Sequence, residues 1–333
     1  MTSAAPPPSA TITDPDHIPV LLNEVVDGLA LKDGGHYVDG TFGAGGYTVA
    51  MLNAAHCTVW AVDRDPEALE RGKVLSEAFP GRLHLLPGRF GDLADLLLEQ
   101  GINAIDGLAL DLGISSMQVD DRSRGFSFLR DGPLDMRMEK TGMSAADAVN
   151  TLPESDLADI IKRYGEERHA RRVAHAIVRA RKNRPFSRTI HLADTIRAEV
   201  RRSLDGIDPA TRTFQALRIF VNDELGELER GLSGAERLLS EHGRLAVVSF
   251  HSLEDRIVKT FIRDRSGRSP NPSRHRPATN DGRKTATFEM VNARAITPAK
   301  REVRNNPRAR SARLRVAERT AIPPLTSVKG DVA

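Results

Sequence analysis

Asp39-Gly40-Thr41-Phe42-Gly43-Ala44-Gly45-Gly46 follows the apolar pair Tyr37-Val38 and precedes a helix-like stretch. Strand, glycine loop and helix in that order place the loop at the carboxyl edge of an open α/β sheet, where such sheets bind ligands. The glycines permit a tight turn and close approach of a ligand to the backbone. Working outward, three more apolar runs end alike: Thr58 to Val62 at Asp63, Leu83 to Leu86 at Pro87-Gly88, and Gly107 to Leu110 at Asp111. Amphipathic segments separate them, and in Pro66 to Phe79 the inward side is predicted to hold Ala68, Leu69, Val74 and Leu75. Repeated βα units predict an α/β fold with a doubly wound, mostly parallel, Rossmann-like sheet.

After Asp111 the pattern stops, and the next convincing strand is Arg244 to Phe250. The gap is too long for a loop. It carries helical periodicities in Leu157, Ile160, Ile161 and Tyr164, in Val173, Ala174, Ile177 and Val178, and in Leu192, Ile196 and Val200. Ser144 and Ser155 sit where N-caps are expected. The prediction is an inserted helical domain over 119–210, with the chain returning near Thr211. One helix, Arg212 to Leu239, then lies back on the sheet and leads through His242-Gly243 into strand five. Thr287 to Val291 and Ala312 to Val316 read as the final strands. The ligand-binding domain thus comprises 20–118 and 211–320. A disordered tail over 1–19 precedes it, and a polar, Pro- and Arg-rich mobile loop over 263–284 interrupts it.

The composition, 40% hydrophobic and 28% charged, is that of a globular protein, and no run of about 18 apolar residues suggests a membrane span. The first residues lack the basic-then-apolar order of a secretory signal, which predicts a cytoplasmic protein. The single cysteine, Cys57, excludes an internal disulfide framework and a cysteine-based zinc site, and its apolar neighbours predict a buried, inert thiol. The net charge of +3 hides an asymmetry. Arg256 to Arg315 holds 17 Lys or Arg against 4 Asp or Glu, leaving 31 against 41 elsewhere. Clustered positive charge suits a polyanion, whose condensed counterions are released on binding; a solvated tail is the other reading.

A glycine loop alone is shared with dinucleotide enzymes. Asp39 discriminates, because a pyrophosphate on this loop meets its negative charge, whereas an α-amino group and a sulfonium are attracted by it. The loop therefore favours S-adenosylmethionine over NAD. Asp63 is placed to accept hydrogen bonds from both ribose hydroxyls, a role common to both cofactors.

Further strings narrow the reading: His17-Ile18-Pro19-Val20-Leu21-Leu22, Asp63-Arg64-Asp65-Pro66, Asp106 to Ser116, Arg124-Gly125-Phe126-Ser127-Phe128, and Pro133 to Met138. Tyr164 to Arg168, Pro209 to Arg218, Ser249 to Arg256 and Asn306 to Ala312 follow in order. With the glycine loop, they make the chain resemble the ribosomal RNA small subunit methyltransferase H family, the 16S rRNA cytosine N4-methyltransferases, over nearly its whole length. The resemblance implies a class I methyltransferase sheet with S-adenosyl-L-methionine as cofactor. It implies cofactor contacts at Gly43, Gly45, Gly46, Tyr47, Asp63, Phe90, Asp111 and Gln118. Tyr47 stands where the family more often has His, and Met117 where Pro is usual. The implied target is the N4 amine of cytidine 1402, and the implied partner is 16S rRNA or the small ribosomal subunit, with monomer and dimer both open. Arg168, Arg171, Arg172, Arg179, Arg181, Lys182 and Arg184 of the helical domain are compatible with such a partner, as is the basic carboxyl-terminal segment.

The transfer needs the amine lone pair drawn out of conjugation and a group to receive a proton, with no metal and no covalent intermediate. Asp111 is the first candidate to orient the amine. His251 and Ser252, beyond strand five, are candidates to accept or relay the proton. Two of these have a plainer alternative, cofactor binding alone for Asp111 and a buried histidine satisfying the helix start for His251; Arg218, Asn222, Glu254 and Arg256 read as internal ion pairs between the helical insertion and the core. A dinucleotide-dependent oxidoreductase and a non-catalytic nucleic-acid-binding protein with a methyltransferase fold are the competing functions.

Overall fold

The structure, a computed structural model, describes residues 19–200, 206–267 and 285–325. Two compact units divide the chain, Met1–Gly113 with Glu227–Ala333, and Ile114–Gly226. No helix among the described residues is long and apolar enough to cross a membrane. The expected tail, but for Pro19, and residues 268–284 of the expected loop lie outside the described residues.

The first unit is built on β1 (His36–Asp39), β2 (Thr58–Asp63), β3 (Leu83–Pro87), β4 (Ile105–Asp111), β5 (Leu239–Ser249), β6 (Phe288–Met290) and β7 (Arg313–Arg319). They form one sheet in the order β3-β2-β1-β4-β5-β7-β6. The first five are parallel; β7 runs antiparallel to β5, and β6 to β7. The strand order reverses between β1 and β4, so a crevice opens beyond their carboxyl ends. Side chains alternate between two apolar layers: Tyr37, Val59, Ala61 and Ala109 enter one, and Val38, Trp60, Val62, Leu108 and Leu110 the other. Both faces are therefore buried, which is why these strands read as continuous apolar runs.

The helices of this unit are α1 (Leu22–Leu29), α2 (Gly46–Ala54), α3 (Pro66–Ala78) and α4 (Leu93–Glu99), with more following the second unit. The Asp65 carboxylate caps α3 by accepting from the Glu67 N–H at 3.0 Å, and Pro66 supplies the first helical residue. Ala68, Gly72 and Leu75 form its inward stripe, while Val74 is exposed, contrary to the sequence reading. Val74 lies one residue off the helical repeat that Gly72, with no side chain, conceals. Cys57 is buried, and burial pushes its thiol pKa up.

The second unit contains α5 (Ser116–Asp120), α6 (Ala145–Thr151), α7 (Glu154–Gly165), α8 (Ala170–Arg181), α9 (Thr189–Glu199) and α10 (Ala210–Asn222). It has its own core of Leu157, Ile161, Val173, Ile177, Leu192, Ile196, Phe214 and Leu217 among others. Helices α7 and α10 cross closely: a Cβ on Gly165 would lie 2.5 Å from the Arg212 carbonyl oxygen. Ser144 caps α6 in a capping box with Asp147, but Pro153 precedes α7, and Ser155 lies within its first turn.

The long helix expected over Arg212 to Leu239 is broken. It divides into α10 and α11 (Glu224–Leu238) at Asp223, whose φ of 50° is left-handed, a conformation that short polar side chains tolerate. Phe214 and Leu217 pack into the helical core, so the compact unit extends to Gly226 rather than ending near 210. Strand β5 begins at Leu239, earlier than expected, because His242-Gly243 forms a bulge rather than the end of a loop. Helix α12 (Ser252–Arg265) occupies the first residues of the expected 263–284 loop. Helix α13 (Lys300–Asn305) precedes β7.

Candidate functional site

The glycine loop leaves β1 and re-enters α2 at Gly45, whose φ of 78° is left-handed. A Cβ there would lie 2.7 Å from Leu75 Cδ1 and 2.9 Å from the Phe42 ring, so both backbone and packing require glycine. At Gly46 a Cβ would collide with Pro19. The loop is pinned from both neighbouring strands: Gly40 N–H donates to Ala109 O at 2.9 Å and Phe42 N–H to Val62 O at 3.0 Å.

Asp39 is buried beneath this loop. Thr48 Oγ1 donates to its Oδ2 at 2.8 Å and Thr41 N–H to its Oδ1 at 3.2 Å. Burial outweighs those bonds and pushes its pKa up to about 6. Asp63 braces the loop: Gly43 N–H donates to Oδ2 at 2.7 Å and Asp65 N–H to Oδ1 at 2.8 Å. Burial raises its pKa as well.

Asp111 ends β4 at the same edge, and its N–H donates to Thr41 Oγ1 at 2.7 Å. Its Oδ1 is buried with no hydrogen-bond partner among the described residues. Burial first, then the negative charges of Asp39 and Glu254, push its pKa well above the usual carboxylate range. A buried acceptor left unmatched costs about 1–3 kcal/mol, so such an atom calls for an explanation.

His251 precedes α12 and acts as its cap, as the plainer reading supposed: its Nδ1 accepts from Glu254 N–H at 3.4 Å. Its Nε2 lies 3.0 Å from Glu254 Oε1, yet the approach lacks hydrogen-bond geometry and this buried atom stays unmatched. Glu254 Oε2 accepts from Phe250 N–H at 2.8 Å and His251 N–H at 3.2 Å. Ser252 is the exposed first residue of α12.

The remaining sequence candidates separate. Tyr47 is buried, and its hydroxyl donates to the Val20 carbonyl, tying the chain before α1 to the glycine loop. The Phe90 ring rests on α11, where a Cβ on Gly231 would approach it to 2.6 Å. Gln118 belongs to the helical unit, where its Oε1 accepts from Ser115 N–H at 3.1 Å in a capping box. Arg218 pairs bidentately with Glu224 at 2.8 and 2.9 Å, and Asn222 bonds the backbone of Met136 and Met138, all within the helical unit. Sequence reading missed the bonds that Thr41 and Thr48 make to Asp39 and Asp111, and it gave Glu254 only an ion-pair role. The spacing His251-x-x-Glu254 follows the capping-box pattern, but histidine is not an ordinary cap.

The strand order, the reversed pair β7 and β6 at one edge, and a glycine loop flanked by acidic strand ends define a class I methyltransferase fold. The chain belongs to the MraW methylase family, whose model matches residues 14–320. It is 62% identical over 307 residues to ribosomal RNA small subunit methyltransferase H of Paramagnetospirillum magneticum, spanning 92% of this chain and 96% of that one. The protein of the same name from Rhodospirillum centenum is 60% identical, spanning 96% of this chain and 97% of that one. Among solved structures, an rRNA methylase from Streptococcus thermophilus shares 13% identity over 91% of this chain and 99% of that one, at a TM-score of 0.39 too low to carry weight.

Proposed function

We propose that this protein transfers a methyl group from S-adenosylmethionine to N4 of cytidine 1402 of 16S rRNA, and that Asp111 receives the amine. The observation that carries the role of Asp111 is its buried, unmatched Oδ1. The ionisable groups acting on Asp111 are the acids Asp39 and Glu254, so this sheet edge favours a cation. A cofactor with an ammonium and a sulfonium fits it, and a pyrophosphate does not. Each Asp63 oxygen keeps a lone pair beyond its one N–H partner, which suits a ribose diol.

When bound, the cofactor supplies an electrophilic methyl on a cationic sulfur. Positive charge beside Asp111 lowers its pKa from the raised value, leaving Oδ1 able to accept an N–H of the amine and draw its lone pair out of conjugation. The same carboxylate, made more basic by its burial, takes the proton. Because His251 Nδ1 accepts from the helix start, neutral His251 carries its proton on Nε2 and is a donor there. Asp111 therefore stands ahead of His251 and Ser252 as acceptor.

The helical domain is the part we assign to the rRNA or small-subunit partner. Arg168, Arg171, Lys182 and Arg184 are exposed on it. Arg172 and Arg179 share Glu199, and Arg181 turns inward to the carbonyls of Val149 and Leu152, so these three suit phosphate less well. Mass spectrometry of 16S rRNA from cells lacking the protein tests the reading. Loss of N4-methylation at cytidine 1402 is expected; an unchanged modification profile would sink it. Failure of the purified protein to label small subunits from radioactive cofactor would favour the non-catalytic alternative.

A further inference from the structure

Arg64 stands between Asp63 and Asp65 in the string Asp63-Arg64-Asp65-Pro66, and the proposed chemistry leaves it without a role. Its side chain is 10% exposed and pairs with Glu227 of α11, 1% exposed, through Nη1 and Oε2 at 2.6 Å. Both partners belong to the first compact unit. A buried ion pair holds two elements together no better than apolar side chains of the same volume, since desolvation offsets its attraction. The charge therefore points to a task beyond packing.

The pair adjoins the part of the site that the ribose reading gives to the nucleoside. Asp63 Oδ1 accepts from Asp65 N–H, so the turn that carries Arg64 is wrapped around that carboxylate. The Asp63 carbonyl accepts from Gly88 N–H at 3.0 Å, which ties the end of β2 to the chain leaving β3. Glu227 also abuts the turn Phe90–Asp92: a Cβ on Gly91 would lie 2.9 Å from its Cγ and 3.2 Å from its carbonyl oxygen. One helical turn further along α11, Gly231 makes room for the Phe90 ring. A single buried glutamate thus supports the loop after β2 through Arg64 and the loop after β3 directly.

We infer that Glu227 and Arg64 are positioning residues for the nucleoside end of the cofactor: Glu227 fixes the guanidinium, and with it the turns that present Asp63 and Phe90. The inference rests on the assignment of Asp63 and Phe90 to that end. The guanidinium also acts on Asp63 by its charge. Burial raises the pKa of Asp63, while the two N–H bonds and Arg64 oppose that rise; Asp65 and Asp39 are neighbouring acids. A carboxylate that accepts from two ribose hydroxyls does so in its ionised form, which the positive charge of Arg64 favours.

The test measures binding of S-adenosylmethionine to the full chain by calorimetry across pH. Arg64→Gln is expected to weaken it by roughly three- to tenfold, at most the loss expected of Asp63→Ala. 5′-Methylthioadenosine, which keeps the nucleoside and lacks the amino-acid end, should lose the same factor. Affinity falls as pH drops through the pKa of Asp63; without the charge of Arg64 that fall should begin at higher pH, and Arg64→Lys should return it to the wild-type position. Glu227→Gln alone leaves a buried cation without the Glu227 charge and lowers the melting temperature, so the decisive variant is Arg64→Gln combined with Glu227→Gln, which buries neither charge. It should bind no more weakly than Arg64→Gln, because the glutamate acts through Arg64 and the isosteric glutamine keeps the contact with Gly91. Wild-type affinity in Arg64→Gln overturns the positioning role, as does a lowered melting temperature with an unmoved pH dependence of binding. If Asp63→Ala binds the cofactor as tightly as the wild type, the ribose reading falls and the pair's role with it; if Asp63→Ala weakens binding and Arg64→Gln does not, the pair's role falls alone.

Discussion

The two ends of β4 carry aspartates five residues apart and treat them in opposite ways. At the amino end, Asp106 accepts from His36 N–H at 2.8 Å and pairs with Lys32 at 2.7 Å. Beside it Glu318 is matched by His242 at 2.8 Å and Arg244 at 2.6 Å. At the carboxyl end, Asp111 is half-buried beside acids, with its Oδ1 buried and unmatched. The amino end also bears a cavity of about 300 Å³, lined by Leu29, Tyr37 and these paired groups. Under the proposed function, it is the unmet electrostatic demand at Asp111 that distinguishes the carboxyl end.

The sharpest challenge to this contrast is a pair of isosteric changes. Asp111→Asn should lower kcat by roughly 10²–10⁴-fold, the usual share of a positioned acid or base, while Asp106→Asn keeps wild-type turnover and loses only stability. Equal losses of turnover would erase the difference between the ends. Gly45→Ala should destabilise the protein by about 1–3 kcal/mol in urea unfolding, because the left-handed backbone and the Leu75 and Phe42 contacts resist a methyl together. Asp63→Ala should weaken cofactor binding by roughly tenfold, the scale of one charged hydrogen bond, while leaving RNA binding near the wild-type level. Unchanged affinity in calorimetry would remove Asp63 from the site.

Smaller effects follow pH. The folded pKa of Asp39, about 6, exceeds its ordinary value of 3.8, so the folded state holds the proton more tightly than the unfolded chain. Its contribution is fully present below the ordinary value and is lost as pH rises through 6. Melting curves of the free protein should thus fall less between pH 4 and 6 in Asp39→Asn than in the wild type. At the opposite end, Glu318 raises the pKa of His242. That pairing also stabilises below the ordinary imidazole value of 6.5 and fades as pH rises through the raised one. His242 is exposed and screened, so His242→Ala should give the smallest change in melting temperature, confined to acidic pH.

Much of the sheet was legible because strands buried on both faces leave uninterrupted apolar runs, each ended by an acid or a turn: Tyr37-Val38-Asp39, Thr58 to Asp63, Gly107 to Asp111. The break at Asp223 was hidden, since Phe214, Leu217, Leu225 and Leu228 keep helical spacing across it. Nor could spacing reveal that Val74 faces water while Gly72 faces the core. At the site, the glycine loop and its acids were visible as residues, but their roles were not. Tyr47 gives its hydroxyl to Val20, and Gln118 gives its oxygen to a helix start, because distant or neighbouring backbone groups compete for the same polar atoms.

By itself the sequence determined a glycine loop between acidic strand ends, an α/β sheet with a helical insertion, and motifs that place the chain in its family. These follow from local chemistry, which spacing and residue type record. The tertiary structure alone decided that Asp39, Asp111 and Glu254 share one buried edge, and that one oxygen of Asp111 is left without a partner. Burial and mutual charge depend on residues far apart in the chain, and they exist only once β1, β4 and the start of α12 have come together.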